Sequence, residues 1–320
     1  MKVLVFGAGV IGTLHAWAFE QSGHTVALFV RPGHEARWQD GIRLELLDGR
    51  RGERTEVRTE FRPTVVSSLS AEDGYDLVLD AVRYGQVEGA LPELVRILGR
   101  APALLFSNNW GGFGFLEGVL SRDRYVLGLP RAGGVIAGGV LNGALEGGVV
   151  LGASTCGRSG SPEAESMAKR NLDRAVQLFQ SSGFTPEIVD NMEHWYWTHF
   201  ASTAVWAAAG AKAGGYDALA HDTRAIREAL AAGRESMAIC TARGAEVRKC
   251  SDARPFLAPS WMVAPLVRRF LGGEISRRMA QTRPEYVGEF RRIYDEVVET
   301  GHRLRVPTPS LDAYGPIVDA

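Results

Sequence analysis

Lys2-Val3-Leu4-Val5-Phe6 runs without interruption into Gly7-Ala8-Gly9-Val10-Ile11-Gly12, and this stretch decides the fold. A short, almost wholly apolar run reads as a strand buried on both faces. The glycines that follow stand at the G-x-G-x-x-G spacing, and each has a task. Gly7 permits a sharp turn out of the strand, Gly9 lets a pyrophosphate approach bare backbone, and Gly12 lets a helix pack closely on the strand. Residues 11–22 continue as an apolar helix and 25–30 as a second strand. The loop therefore opens on a helix N-terminus, where free N–H groups and the helix dipole favour phosphate. Gly7, Ala8, Gly9, Val10, Ile11 and Gly12 are the expected cofactor-binding residues of a dinucleotide site.

The end of the second strand selects the dinucleotide. An NAD site usually places Asp or Glu there, about 20 residues beyond the glycines, to bind the ribose 2′-hydroxyl. Here Val30 is followed by Arg31-Pro32-Gly33. A guanidinium takes a 2′-phosphate with two parallel hydrogen bonds, whereas an acid repels it. The expected cofactor is NADP(H), with Arg31 on the phosphate.

Outward from this unit, 75–82 and 103–107 repeat the buried-strand pattern, with a helical run at 86–98 between them. Such alternation predicts an α/β fold with a Rossmann-type doubly wound parallel sheet. The glycine-dense segment 126–150 reads as short buried strands separated by turns. Ser161-Pro162-Glu163 opens a helix by cap and proline, Gly183 closes it, and 186–189 resembles a last strand. From 193 to 301 the pattern is almost entirely helical, broken at Gly214-Gly215, Arg254-Pro255, Gly272-Gly273 and Arg283-Pro284. The expected organisation is a dinucleotide-binding Rossmann domain over 1–190 and a second, all-helical C-terminal domain over 191–320.

Composition narrows the partners. Of the 320 residues 45% are hydrophobic and 23% charged, and the formal net charge of −1 offers no global field for nucleic acid or acidic lipid. Cys156, Cys240 and Cys250 have neither metal-ligand spacing nor the number for a disulfide framework. No stretch approaches the roughly 20 apolar residues of a membrane span. A cytoplasmic protein with a small-molecule substrate is expected, with no metal, nucleic-acid or membrane partner.

Taken together, the glycine loop, Arg31, Ala81-Val82-Arg83 with Gln86 after it, Ser107-Asn108-Asn109-Trp110-Gly111, and the C-terminal run from Glu289 to Val306-Pro307-Thr308-Pro309 resemble the ketopantoate reductase family. The likeness extends over essentially the whole chain. It implies NADPH-dependent reduction of a 2-oxo acid between a Rossmann domain and a helical domain, and a homodimer through the latter. By the resemblance, Arg83 stands where the family has a lysine near the cofactor. Asn108 takes the place of the asparagine at the nicotinamide and substrate end, with Asn109 as the alternative register.

The resemblance also marks departures. The family's general acid is a lysine on the first helix of the second domain, followed one turn later by a substrate-orienting asparagine. His199 and Thr203 stand at those places. Histidine delivers a proton but does not reproduce lysine's permanent charge. Glu289 falls on the glutamate that binds the substrate hydroxyl, flanked by Gly288, Phe290 and Arg291. The family's substrate-binding serine is not recovered; Arg278 lies nearest, with Ser276 close by. His199 also lies between Trp195 and Thr203 at helical spacing, with Trp206 continuing the face, which equally suits a histidine satisfied in an aromatic packing face.

Three functions are compatible with these residues. The first is NADPH-dependent reduction of a 2-oxo acid or related carbonyl, with His199 and Glu289 catalytic and Asn108, Thr203 and Arg278 on the substrate. The second is reduction of an imine or a bulky ketone in a biosynthetic pathway. The third is NADPH binding without turnover.

Overall fold

The computed structural model describes residues 1–69, 73–83, 85–116, 118–153, 161–279 and 284–315, and of 284–287 only the backbone. Cys156 and Arg283 lie outside the described residues. The chain divides into two compact units, Met1–Met192 and Glu193–Ala320.

In chain order the first unit carries β1 (Lys2–Phe6), α1 (Val10–Glu20), β2 (Thr25–Phe29), β3 (Ile42–Gly49), β4 (Thr55–Phe61), β5 (Thr64–Val66) and β6 (Leu77–Asp80). Then follow α2 (Val87–Leu98), β7 (Ala103–Leu105), β8 (Tyr125–Ala137), β9 (Val140–Ala153), α3 (Pro162–Ser181) and β10 (Thr185–Ile188). Six strands, β5-β2-β1-β6-β7-β8, pair in parallel. Ranked by their appearance within this block they run 3-2-1-4-5-6, the doubly wound order. The order reverses between β1 and β6, so a crevice opens beyond their C-terminal ends.

The expected doubly wound parallel block is present, and four further strands extend it into a mixed sheet of ten, which refines the expected architecture. β9 runs antiparallel to β8 and parallel to β3 and β10, and β4 closes the border antiparallel to β3. The connection from β2 to β5 is thus interrupted by the β3–β4 hairpin. Segment 126–150 is corrected. Instead of several short strands it contributes most of two long ones, joined by Gly138 (φ 55°) and Gly139 (φ 76°). Two successive positive φ values give a two-residue hairpin turn with the right-handed twist of the strands. Gly143 lies within a strand instead, where a Cβ would meet the Gly133 carbonyl oxygen at 2.6 Å.

Packing follows from the apolar pattern. Every residue of α1 from Gly12 to Phe19 is buried, and Leu14 and Phe19 share a core with Val3, Leu28, Leu79, Leu104 and Phe179. Ser161 caps α3 by accepting the Ala164 N–H at 3.3 Å, with Pro162 at its start. Buried Arg50 pairs with Asp48 at 2.7 Å and donates to the carbonyls of Ala18 and Ser182 near the C-terminal ends of α1 and α3. A buried guanidinium is tolerable because its donors are paired.

The second unit is helical. It comprises α4 (Met192–Ala213, entered at the boundary), α5 (Tyr216–His221), α6 (Thr223–Ala242), α7 (Arg254–Leu257), α8 (Ser260–Leu271), α9 (Glu274–Met279), α10 (Pro284–Arg303) and α11 (Pro309–Asp312). At its centre α6 touches α5, α7, α8, α10 and α11. Gly233 on α6 admits the Phe256 ring, which would stand 2.0 Å from a Cβ there. No described helix is long and apolar enough to cross a membrane.

Candidate functional site

The glycine loop is built as its spacing demands. Gly7 has φ 110°, and a Cβ on it would stand 3.0 Å from the Ala81 carbonyl and 3.2 Å from the Val82 nitrogen. The loop leaving β1 therefore nests against the residues leaving β6, at the point where strand order reverses. Gly12 packs the first turn of α1 so closely that a Cβ would meet the Gly7 oxygen at 1.9 Å. Gly9 is different in kind: nothing lies within 4 Å of the position its Cβ would occupy. It caps α1 without any side-chain hydrogen bond, and the first turn holds no acid. Open space above a helix N-terminus without a side-chain cap is what a pyrophosphate requires.

The turn after β2 presents Arg31, which is exposed and forms no side-chain hydrogen bond or ion pair among the described residues. Glu35, the nearest acid in the turn, is occupied locally. Hydrogen bonds from Ser67 and from the Glu35 and Gly33 amides hold its carboxyl below the usual range. Arg83 is exposed.

Beyond β7, the two candidate asparagines differ. Asn109 Oδ1 accepts the Gly111 N–H at 2.9 Å and shapes its own turn. Asn108 Oδ1 is buried and has no hydrogen-bond partner among the described residues. A buried polar atom without a partner is costly and marks a place where a ligand group can bind. The residues present therefore fit a dinucleotide, on the open Gly9, the first turn of α1 and Asn108.

In the second unit, His199 on α4 is held on two sides. Its Nδ1 lies 2.5 Å from Asp252 Oδ2, and its ring stacks on Trp195 at 5.2 Å between centroids and 10° between planes. Trp195 is itself fixed, because its Nε1 donates to Ser251 Oγ at 3.1 Å. Asp252 occupies the single turn Ser251–Ala253. The carboxylate accepts the Nδ1 proton, which leaves Nε2 as the atom for exchange. With the His side chain 28% exposed, the ring is anchored yet accessible.

The remaining expected residues are less free. Thr203 Oγ1 donates back to the His199 carbonyl at 3.0 Å. The Arg278 guanidinium is bound to Glu274 at 2.8 Å. Ser276 donates to the Phe270 carbonyl at 2.6 Å, and Glu289 is half-buried on α10. Sequence reasoning missed Asp252, which lies 53 positions from His199 in a turn with no motif of its own. It also missed Asp80, whose buried carboxyl accepts from Val82 N–H and Ser107 Oγ–H.

A glycine loop at the switch point of a 3-2-1-4-5-6 sheet, followed by a helical unit, defines the class of dinucleotide-binding folds. Residues 3–154 match the family model of ketopantoate reductase PanE/ApbA. A 2-dehydropantoate 2-reductase of Vibrio cholerae serotype O1 is 34% identical over 119 residues, which span 37% of this chain and 34% of that relative's length. A PanE/ApbA family ketopantoate reductase from Ralstonia eutropha JMP134 superposes with TM-score 0.68, covering 100% of this chain and 97% of that one at 21% identity. D-mandelate dehydrogenase, in its ternary structure with NADH and anilino(oxo)acetate, superposes with TM-score 0.71 over 100% and 97% of the two chains at 16% identity. These superpositions establish the fold.

Proposed function

We propose that this chain is an NADPH-dependent reductase of a 2-oxo acid or a closely related carbonyl compound. The observation that carries the reading is the His199–Asp252 pair at 2.5 Å, in a chain whose other unit holds an open glycine loop. Gly9 and the first turn of α1 would bind the pyrophosphate, Arg31 the 2′-phosphate, and Asn108 the nicotinamide end. When bound, the cofactor supplies a hydride to the carbonyl carbon, and that chemistry is its own.

His199 answers the other half of the reaction. As the carbonyl oxygen gains charge, the doubly protonated ring donates its Nε2 proton to the alkoxide. Asp252 keeps the remaining proton on Nδ1 and offsets the positive charge of the ring before transfer. In the reverse direction the same pair leaves Nε2 as the acceptor. Trp195 holds the plane of the ring, so that proton transfer needs no rotation. The pair performs a lysine's proton transfer but not its permanent attraction for a carboxylate, which Arg278 would replace only by leaving Glu274. Glu289 would contact the substrate hydroxyl and Thr203 would help to seat the substrate.

A bulkier, aromatic acceptor is the second reading, favoured by the indole stacked on His199. It includes imines and large ketones. The test follows NADPH and NADH oxidation with a panel of aliphatic and aromatic 2-oxo acids, ketones and amine–carbonyl mixtures. Turnover that survives His199→Ala would exclude the proton-donor role. Tight NADPH binding with no turnover on any acceptor would leave a dinucleotide-binding protein without catalysis.

A further inference from the structure

Asp80, the last residue of β6, is 1% exposed. Its Oδ1 accepts the Val82 N–H at 3.2 Å and its Oδ2 accepts the Ser107 hydroxyl at 3.1 Å. One carboxyl thus joins the residues leaving β6 to those leaving β7. The first group touches the glycine loop, since Ala81 is what a Cβ on Gly7 would strike. The second leads into Asn108, with its unpartnered buried oxygen.

Two neutral donors could be satisfied by an amide, so a carboxyl here is more than the hydrogen bonds require. Among the described residues, no cation compensates a charge on it. The register partners Phe6 on β1 and Leu105 on β7 are apolar. The first turn of α1 contains no acid, and Glu88 on α2 and Arg83 after β6 are exposed. Burial pushes the Asp80 carboxyl up to about 7, and the bonds from Val82 and Ser107 offset this only in part.

We propose that Asp80 is a positioning residue that couples dinucleotide binding to the uptake of one proton. The proton comes from solvent and forms an O–H bond on Oδ2, which then donates to Ser107 Oγ while Oδ1 keeps the Val82 N–H. In this neutral form the end of the sheet accepts the negative charge of a pyrophosphate, and in the ionised form it opposes it. The proposal rests on reading the glycine loop as a dinucleotide site.

The test is a fluorescence titration of NADPH into the full chain between about pH 6 and pH 9. It compares wild type, Asp80→Asn and Ser107→Ala, with calorimetry in buffers of different ionisation enthalpy. Relative to Asp80→Asn, in which titration of the cofactor's own phosphate is retained, wild-type affinity should fall about tenfold as pH rises through 7, the size expected of one charge pair in a partly desolvated site. Binding to wild type should take up protons, and Asp80→Asn should abolish that uptake. Ser107→Ala removes a bond that is stronger to the charged form than to the neutral one, so its midpoint should move to higher pH. If Asp80→Asn does not fold, the wild-type proton uptake and the Ser107→Ala midpoint still decide. Equal pH profiles in all three proteins would overturn the coupling, and so would binding without proton uptake. Failure of wild type to bind NADPH at any pH would overturn the dinucleotide reading itself.

Discussion

Gly9→Ala and Gly12→Ala place the same methyl group three residues apart, and the structure assigns them opposite consequences. At Gly9 the backbone is extended (φ −89°, ψ −165°), which alanine adopts readily, and its Cβ would meet nothing within 4 Å. Unfolding stability should stay within about 0.5 kcal/mol of wild type, or rise slightly through loss of chain entropy in the unfolded state. At Gly12 the Cβ would stand 1.9 Å from the Gly7 oxygen and 3.1 Å from Val5 Cγ1. Backbone must move by more than an ångström, against a helix-propensity gain of only about 1 kcal/mol. Overpacking of this kind destabilises by about 1–3 kcal/mol or more. For a unit of this size, 3 kcal/mol corresponds to a Tm lower by about 6–12 °C. The ligand reverses the ranking of interest, because Gly9→Ala fills the space left for the pyrophosphate. NADPH affinity should then fall by about 100-fold in a protein that melts normally, a loss comparable to one or two charge-assisted hydrogen bonds. Differential scanning calorimetry and fluorescence titration measure the two effects separately. A Gly9→Ala protein that binds NADPH like wild type would refute the assignment of the open space. Equal destabilisation by both substitutions would refute the packing argument.

Other consequences are measurable in the same protein. Asp252→Asn should lower kcat for carbonyl reduction by about 100-fold, within the usual range of general acid catalysis, with NADPH affinity unchanged; steady-state kinetics beside a binding titration checks this. Arg31→Ala should weaken NADPH by about 10- to 100-fold and leave NADH within about twofold, as competitive titrations would show. Acid and base titration of stability should separate two buried groups. Burial lowers His15 from 6.5 to about 4, so the unfolded chain binds the extra proton and this group's contribution is lost as pH falls through that window. Asp80 is raised from 3.8 to about 7, so the native state holds the extra proton and its contribution is lost as pH rises. The stability difference from wild type should therefore change with pH in opposite senses for His15→Leu and Asp80→Asn, by about 3 kcal/mol each; denaturant melts between about pH 4 and pH 7 would register equal slopes if the burial argument were wrong.

The parts of the fold that were legible in the sequence are those where one local pattern has one physical solution. An apolar strand, three spaced glycines and an apolar helix leave little choice but a βαβ turn, and Ser161-Pro162 can hardly do other than begin a helix. The β3–β4 hairpin was not visible because Thr55–Phe61 is mostly exposed: Glu56, Arg58 and Glu60 alternate with Thr55, Val57, Thr59 and Phe61, and only Phe61 is buried, so the period of two carries little apolar signal. In 126–150 the glycines looked alike on paper, yet Gly138-Gly139 makes a turn and Gly143 makes room for a neighbouring strand. His199 was singled out through the family resemblance, but its contact with Asp252 was not. A carboxylate that acts only by meeting a ring 53 residues away leaves no trace in spacing. Nor could the sequence distinguish Asn108 from Asn109, whereas in the structure the turn occupies the Asn109 side chain and leaves the Asn108 oxygen without a partner among the described residues.

The β3–β4 hairpin has a consequence of a different kind, for solubility. The main run of the sheet ends at β4 and β5, and β10, paired only with β9, adds a third, four-residue edge that contains Pro186. On β4 the solvent-facing Glu56, Arg58 and Glu60 would have to be desolvated or set against like charges whenever a second strand tried to dock alongside. β5 spans only three residues, too short to template a partner. Charge on β4, brevity on β5 and the missing N–H of Pro186 on β10 each oppose the docking of a further strand, so the margins of an extensive, strongly apolar sheet resist growth into a fibre.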